Sequence, residues 1–378
     1  MKVVVDENIP FIQGVMEPFI DVDYLPGREI TREKIMDADA LIIRTRTSCD
    51  EKLLDGTPVK FIATATIGFD HIDTEYCAKN NIHWTNAPGC NSGSVQQYLA
   101  SVLVTLAKKH GFDLKDKTMG VIGVGNVGKK AGKIAEYLGM RIVLNDPPRE
   151  REEGPCGFVS LDGLLREADV ISLHVPLNMT GPDKTHHMVD EAFLKKVNPG
   201  TFIINSSRGE VVDQKALEKY LDNNRLSGAV LDVWEGEPEI DTNLMKKLDL
   251  ATPHIAGYSA DGKANGTAMS VQALSKHFDL ELYDWYPEDV PEPENTAIRI
   301  DAAGKSVQEI STQAILTAYD VLQDDARLRN SPATFEQQRG NYPLRREFPA
   351  YVVWLQNGNQ KMVDTLKKIG FRVNKIEK

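Results

Sequence analysis

Short apolar blocks alternate with polar ones along the first hundred residues. "KVVV", "ALIIRT" and "KFIATAT" read as strands, with helical segments such as "ITREKIMDA" between them. That alternation predicts a parallel sheet covered by helices. "SGSVQQYLASVLVTLAKKHG" then places Val95, Leu99, Val102, Leu103 and Leu106 at the spacing of one helical face, in a segment long enough to join two domains. "KTMGVIGVGNVGKKAGKIAEYLGMRIVLNDPP" follows as strand, glycine turn, helix and strand. Further strands are expected in "DVISLHVPL", "GTFIINSS", "GAVLDVW" and "LATPHIAG", then a helix in "KANGTAMSVQALSKHF". The acidic, proline-rich "YPEDVPEPEN" reads as an extended linker. Beyond it, "TAIRID", "SVQEISTQAILTAYDVL", "AYVVWL", "QKMVDTLKKIG" and "FRVNKI" predict a small α+β domain.

Length and charge narrow the picture. A chain of 378 residues exceeds what one core usually serves, so two or three domains are expected. The formal net charge of −11 argues against a nucleic-acid surface, which needs clustered Lys and Arg. A small anionic substrate needs only a local basic pocket. No apolar run reaches the length of a membrane span, and Asp6 and Glu7 interrupt the place where a signal peptide has its apolar core. Cys49, Cys77, Cys90 and Cys156 lie far apart, without a C-x-x-C pair. They read as reduced thiols of a cytoplasmic protein.

The glycine turn carries the first specific chemistry. "GVGNVG" sets Gly123, Gly125 and Gly128 in the G-x-G-x-x-G pattern, with Asn126 and Val127 between the last two. Gly123 permits a tight turn, Gly125 the close approach of backbone to a pyrophosphate, and Gly128 the packing of helix on strand. The helix N-terminus offers free N–H groups and a positive dipole end. The next strand, "RIVLND", ends in Asp146, whose carboxylate can accept both ribose hydroxyls and repel a 2′-phosphate. NAD is the expected cofactor, with Arg149 nearby as the one feature pointing toward NADP.

"SSRGEVVDQKALEKYLDNNRLSGAVLDVWEGEPEID", with the "TPHIAGYS" that follows, resembles the signature of the D-isomer-specific 2-hydroxyacid dehydrogenases. "ATIGFDHID" and "NAPGCNSGSVQQY" extend the resemblance toward the N-terminus. It implies an α/β protein in which a Rossmann-type NAD-binding domain (95–258) is inserted in a flavodoxin-like α/β substrate domain (1–94 and 259–283). The tail, 284–378, resembles a C-terminal α+β dimerisation domain, which implies a homodimer.

The same resemblance assigns an Arg, a Glu and a His in chain order, matched here by Arg208, Glu237 and His254. Oxidising a 2-hydroxy acid requires a base for the hydroxyl proton, and a histidine suits that task near neutral pH. Glu237 would hold the other ring nitrogen. Glu235 is its rival in "WEGEPE", and the family's E-P after glycine selects Glu237. Arg208 can fork onto the substrate carboxylate. A phosphorylated 2-hydroxy acid needs further donors. By resemblance Thr45, Thr66 and Tyr258 contact substrate and Arg44 is the phosphate ligand. Arg44 and Arg46 are expected on one face of a strand. Resemblance also adds His174, Val175, Ser206, Ser207, Arg208 itself, Asp232 and Gly257 to the cofactor site, with Asp232 placed to accept from the carboxamide. His186 and His187 are read as structural, because adjacent side chains diverge and no third metal ligand lies near.

Overall fold

The computed structural model of the chain describes residues 1–155 and 157–376, in two compact units. The first comprises 1–91 and 259–291. Its strands are β1 (Lys2–Asp6), β2 (Asp21–Leu25), β3 (Ala40–Ile43), β4 (Phe61–Thr64) and β5 (His83–Thr85). They form one parallel sheet in the order β2-β1-β3-β4-β5, the flavodoxin-like arrangement. β3 and β4 are buried along their whole length, as strands covered on both faces must be. The returning helix Ala260–Phe278 adds Val271 and Leu274 to the core around Val3, Val5, Ile42 and Phe61.

Two expectations for this unit need correction. "ITREKIMDA" forms only a 3-10 turn, Arg32–Ile35. Ile30, Ile35 and Ala38 are buried there and Met36 is half exposed. Arg44 and Arg46 do not share a strand face either. β3 stops at Ile43, and residues 44–47 turn so that Thr47 N–H donates to Arg44 O at 3.2 Å. The Thr47 hydroxyl donates to Gly27 O at 2.8 Å and fixes that turn. Cys49, Cys77 and Cys90 are buried free thiols; the expectation for Cys156 lies outside the described residues.

The second unit comprises 92–258 and 292–378. It opens with the helix Ser92–His110, then β6 (Thr118–Ile122), β7 (Arg141–Asn145), β8 (Val170–Leu173), β9 (Thr201–Asn205), β10 (Leu226–Leu231) and β11 (Leu250–Ala251). All are parallel, in the order β11-β10-β9-β8-β6-β7. The order in which strands are added reverses between β6 and β8, which makes the crevice at their carboxyl ends the place for a dinucleotide.

The helix Ser92–His110 is buried on nearly every side, Gln97 and Ser101 included, so its apolar stripe understates its burial. The tail accounts for the difference. Ser101 Oγ accepts from Val321 N–H at 3.0 Å, and Gln97 donates to Arg346 O at 2.9 Å. In the tail, β12 (Ala297–Asp301), β13 (Val352–Gln356) and β14 (Arg372–Ile376) form a separate sheet in that order. The three strands are all parallel, so the expected mixture of helix and strand takes the form of βαβ crossovers. Among the described residues no helix is long and apolar enough to cross a membrane.

Candidate active site

Because all strands of the six-stranded sheet run the same way, every loop leaving them emerges at one edge. Gly123 follows β6, Asp146 follows β7, His174 follows β8, Ser206 to Arg208 follow β9, Asp232 follows β10, and residues 252–258 follow β11. Residues from Gly123 to Tyr258 are thus brought to one edge by topology alone.

Steric facts explain the glycines. Gly123 sits at φ +84°, and a Cβ there would lie 2.5 Å from His174 O. A Cβ on Gly128 would lie 1.9 Å from Gly123 O, so helix Asn126–Tyr137 can approach β6 only without one. At Gly125 nothing lies within 4 Å of such an atom: the space above the turn is open, as a phosphate-binding backbone requires. Asn126 is exposed and Val127 half-buried. The Asp146 carboxylate accepts from Val124 N–H at 2.7 Å and from Arg149 N–H at 3.1 Å, which ties it to the turn. Arg149 is tied down beside the turn. It donates to Glu153 at 2.7 and 2.6 Å and to Val124 O at 2.6 Å, and lies over the Phe158 ring.

His174 bonds Ser172 Oγ through Nε2 at 2.8 Å, and its Nδ1 is buried without a partner among the described residues. Burial pushes its pKa down to about 4, so the ring is neutral near pH 7. An open glycine turn beside an orphaned ring nitrogen fits a dinucleotide. Val175 packs by Gly123. On the next loop Asn205 Oδ1 accepts from both N–H and Oγ of Ser207, at 3.0 and 2.8 Å, while its Nδ2 donates to Arg208 O. Ser206 is half-buried between them. Asn205 escaped sequence reading, although a buried Asn at a strand's carboxyl end is the signal for a pinned turn.

Glu237 and His254 meet. His254 Nδ1–H donates to Glu237 Oε2 at 2.7 Å, and Trp234 N–H donates to Glu237 Oε1 at 2.8 Å. Both carboxylate oxygens are fixed, and Nε2 is the ring nitrogen left for chemistry. Glu235 is engaged elsewhere, with His187 Nε2 at 2.8 Å. The loop of Arg208 reaches that of Glu237 through Gly209, where a Cβ would lie 2.1 Å from the Trp234 carbonyl. Arg208 itself donates to Ser207 O at 2.8 Å through Nη1 and keeps its other donors.

Asp232 is fully buried and its carboxylate turns into the loop after β11. It accepts from Thr252 Oγ1 at 2.7 Å, Ile255 N–H at 2.8 Å and Ala256 N–H at 3.0 Å. Burial raises its pKa. Thr252 is gripped again, by Tyr98 OH at 2.9 Å and by Trp234 Nε1–H on its carbonyl at 3.0 Å. Trp234, Thr252 and Tyr98 are supports that the sequence reading missed. Gly257 and Tyr258 end the loop, and the Tyr258 ring stands edge-on to Tyr342.

In the other unit, Arg44 donates to Asn8 O at 3.0 Å and Thr45 is exposed. The Thr66 hydroxyl bonds Thr64 Oγ1 at 2.7 Å and Gly68 O at 3.0 Å. The side chains of His186 and His187 do not diverge. Their rings stack at 4.1 Å, because His187 has φ +49° in a turn rather than in a helix or strand.

Residues 94–256 match the NAD binding domain of the D-isomer specific 2-hydroxyacid dehydrogenases, and 290–370 match a domain of unknown function. The chain is 50% identical to erythronate-4-phosphate dehydrogenase of Bacteroides fragilis, over 93% of this chain and 98% of that one. It is 41% identical to that of Escherichia coli, over 98% of both. Among solved structures, it resembles NAD+-bound 3-phosphoglycerate dehydrogenase of Entamoeba histolytica, with TM-score 0.62, 29% identity and coverage of 75% of this chain and 97% of that one. D-lactate dehydrogenase of Aquifex aeolicus, complexed with NAD and lactic acid, gives TM-score 0.59 at 27% identity, over 78% and 100%. The chain is an NAD-dependent dehydrogenase and belongs to the D-isomer specific 2-hydroxyacid dehydrogenase family.

Proposed function

We propose that the chain oxidises 4-phospho-D-erythronate to 2-oxo-3-hydroxy-4-phosphobutanoate on the route to pyridoxal 5′-phosphate. The observation that carries this reading is the Glu237–His254 pair, with Nε2 left open, in a chain matched almost end to end by erythronate-4-phosphate dehydrogenases.

His254 Nε2 takes the C2 hydroxyl proton as the C2–H bond gives up its electron pair and a ketone forms. Glu237 fixes the tautomer and stabilises the imidazolium. Arg208 holds the C1 carboxylate. NAD, when bound, supplies the hydride acceptor. Gly123 to Gly128 cradle its pyrophosphate, Asp146 takes the ribose hydroxyls, and His174, Val175, Ser206, Ser207 and Gly257 line the remainder. Asp232 keeps one lone pair of Oδ2 for a carboxamide N–H. Arg44, Thr45, Thr66 and Tyr258 are assigned to the substrate, with Arg44 on its phosphate. The first unit serves as the substrate domain, residues 95–258 as the cofactor domain, and 284–378 as a dimerisation domain of a cytoplasmic homodimer.

Steady-state turnover with NAD compares the four-carbon acid with 3-phosphoglycerate. A higher kcat/KM for 4-phosphoerythronate is expected; equal or better use of the shorter acid would sink the substrate assignment. Sedimentation of the full chain should give a dimer, and a single monomeric species refutes the role given to the tail.

A further inference from the structure

The region that matches a domain of unknown function sends one charged side chain into the back of the catalytic loop. Arg345 is buried, with 5% exposure. Its Nη2 donates to Ala256 O at 2.6 Å and to Ser94 O at 3.3 Å, and its Nη1 donates to Ile255 O at 3.3 Å. Ile255 and Ala256 are the two residues that follow His254. Their N–H groups are the ones held by Asp232. A buried anion therefore takes both amide hydrogens and a buried cation both carbonyl oxygens of the same two residues.

The cation is itself fixed. Its guanidinium lies 4.5 Å from the Tyr319 ring centroid and 5.8 Å from that of Tyr342. Both hydroxyls donate to Asp324 Oδ2, at 2.6 and 2.7 Å. Asp324 is buried and also receives Arg327. At the other end of the loop, Asp325 Oδ1 accepts from Ala251 N–H at 2.7 Å.

The loop needs such support. His254 sits at φ +56°, in the left-handed region that residues other than glycine rarely adopt. Within the loop, Ile255 O accepts from Tyr258 N–H at 2.9 Å, and Arg345 adds its donors to that carbonyl and to the next. Packing alone would ask for an apolar side chain here, since a buried guanidinium is costly; Arg345 uses Nη1 and Nη2, while its Nε has no partner among the described residues.

We propose that Arg345 is a positioning residue: acting through the Ile255 and Ala256 carbonyls, it holds His254 in line with Glu237 and the reacting hydroxyl. This rests on the catalytic role of His254 given above. The test combines Arg345→Lys with hydrogen–deuterium exchange and kinetics. Lys keeps the charge but lacks the planar fork whose two nitrogens reach separate carbonyls. The amides of His254, Ile255, Ala256 and Tyr258 should exchange at least about tenfold faster, with those of β9 unchanged. The kcat should fall about tenfold or more, while KM and the NAD dissociation constant move less than about threefold.

Unchanged loop exchange, or faster exchange with wild-type kcat, overturns the proposal. So does a loss confined to KM. Should Arg345→Lys fail to fold, Tyr342→Phe, which frees one Asp324 bond and keeps the ring, should give the same pattern at about threefold. Unchanged exchange in that variant counts against the proposal equally. If the wild-type chain fails to oxidise 4-phosphoerythronate, the substrate assignment falls, and the exchange measurement still decides whether Arg345 holds the loop.

Discussion

The glycine turn after β6 and the catalytic loop after β11 solve the same problem in opposite ways. Each must hold backbone rigidly at the open edge of the sheet. The turn does so by omission: two of its three glycines keep a Cβ out of occupied space, and the third leaves a space open. The catalytic loop does so by addition, with Asp232, Trp234 and Arg345 gripping its peptide groups from outside. Missing side-chain atoms fix the first, and added side-chain hydrogen bonds fix the second. A turn built by omission should fail when atoms are added to it. A loop built by grips should fail when one is loosened.

The largest expected effect lies at what the loop presents. His254→Ala should lower kcat at least about a hundredfold, the range of a lost general base, and an unaltered kcat would remove His254 from the mechanism. The turn comes next. Gly128→Ala should cost about 2 kcal/mol in urea unfolding and weaken NAD binding, since its new methyl collides with Gly123 O. Gly125→Ala should leave stability within about 0.5 kcal/mol yet weaken NAD about tenfold, as its methyl enters only the open space. If the two variants lose stability equally, the contrast drawn for this turn is wrong.

A smaller effect concerns pH. His174 is neutral in the fold, its pKa lowered from 6.5 to about 4 by burial. Stability linked to it is fully present above pH 6.5 and is lost as pH falls through that range toward 4, because the unfolded chain takes up the proton first. His174→Gln lacks this term. Its stability relative to wild type should improve by about 2 kcal/mol between pH 7 and pH 4.5, and a constant difference would contradict the burial of a neutral ring. The smallest change is in cofactor choice. Glu153→Gln should free Arg149 and raise kcat/KM with NADP severalfold, by about 1 kcal/mol, with NAD still preferred because Asp146 remains. No gain with NADP would show that Glu153 does not restrain Arg149.

Legibility in the sequence follows the same division. The turn could be read because its determinants are contiguous: strand, three glycines, helix and Asp146 lie within one short stretch. Arg208, Glu237 and His254 were found through the family resemblance, not through spacing. The spacing carries no sign that Gly209 lets the Arg208 loop touch Trp234. Arg345 stayed invisible because an arginine pair in "PLRREF" looks like surface charge, and only the tertiary fold buries it. The misreading of "ITREKIMDA" as helix and of Arg44 and Arg46 as strand neighbours has a common cause. Each stretch is too short for its own pattern to fix its shape, and at residues 44–47 a tertiary hydrogen bond from Thr47 to Gly27 O holds the turn.

The uniform direction of the six strands also divides the unit by tolerance to labelling. At the end where the chain runs into the sheet, the turn at Asn198, Pro199 and Gly200 before β9 is exposed and carries none of the residues assigned above. It lies one strand length, about 16 Å, from the loop that follows β9. A fluorophore attached at Pro199→Cys would therefore watch this unit unfold while leaving turnover intact, making that turn the natural handle for single-molecule or biosensor work on this enzyme.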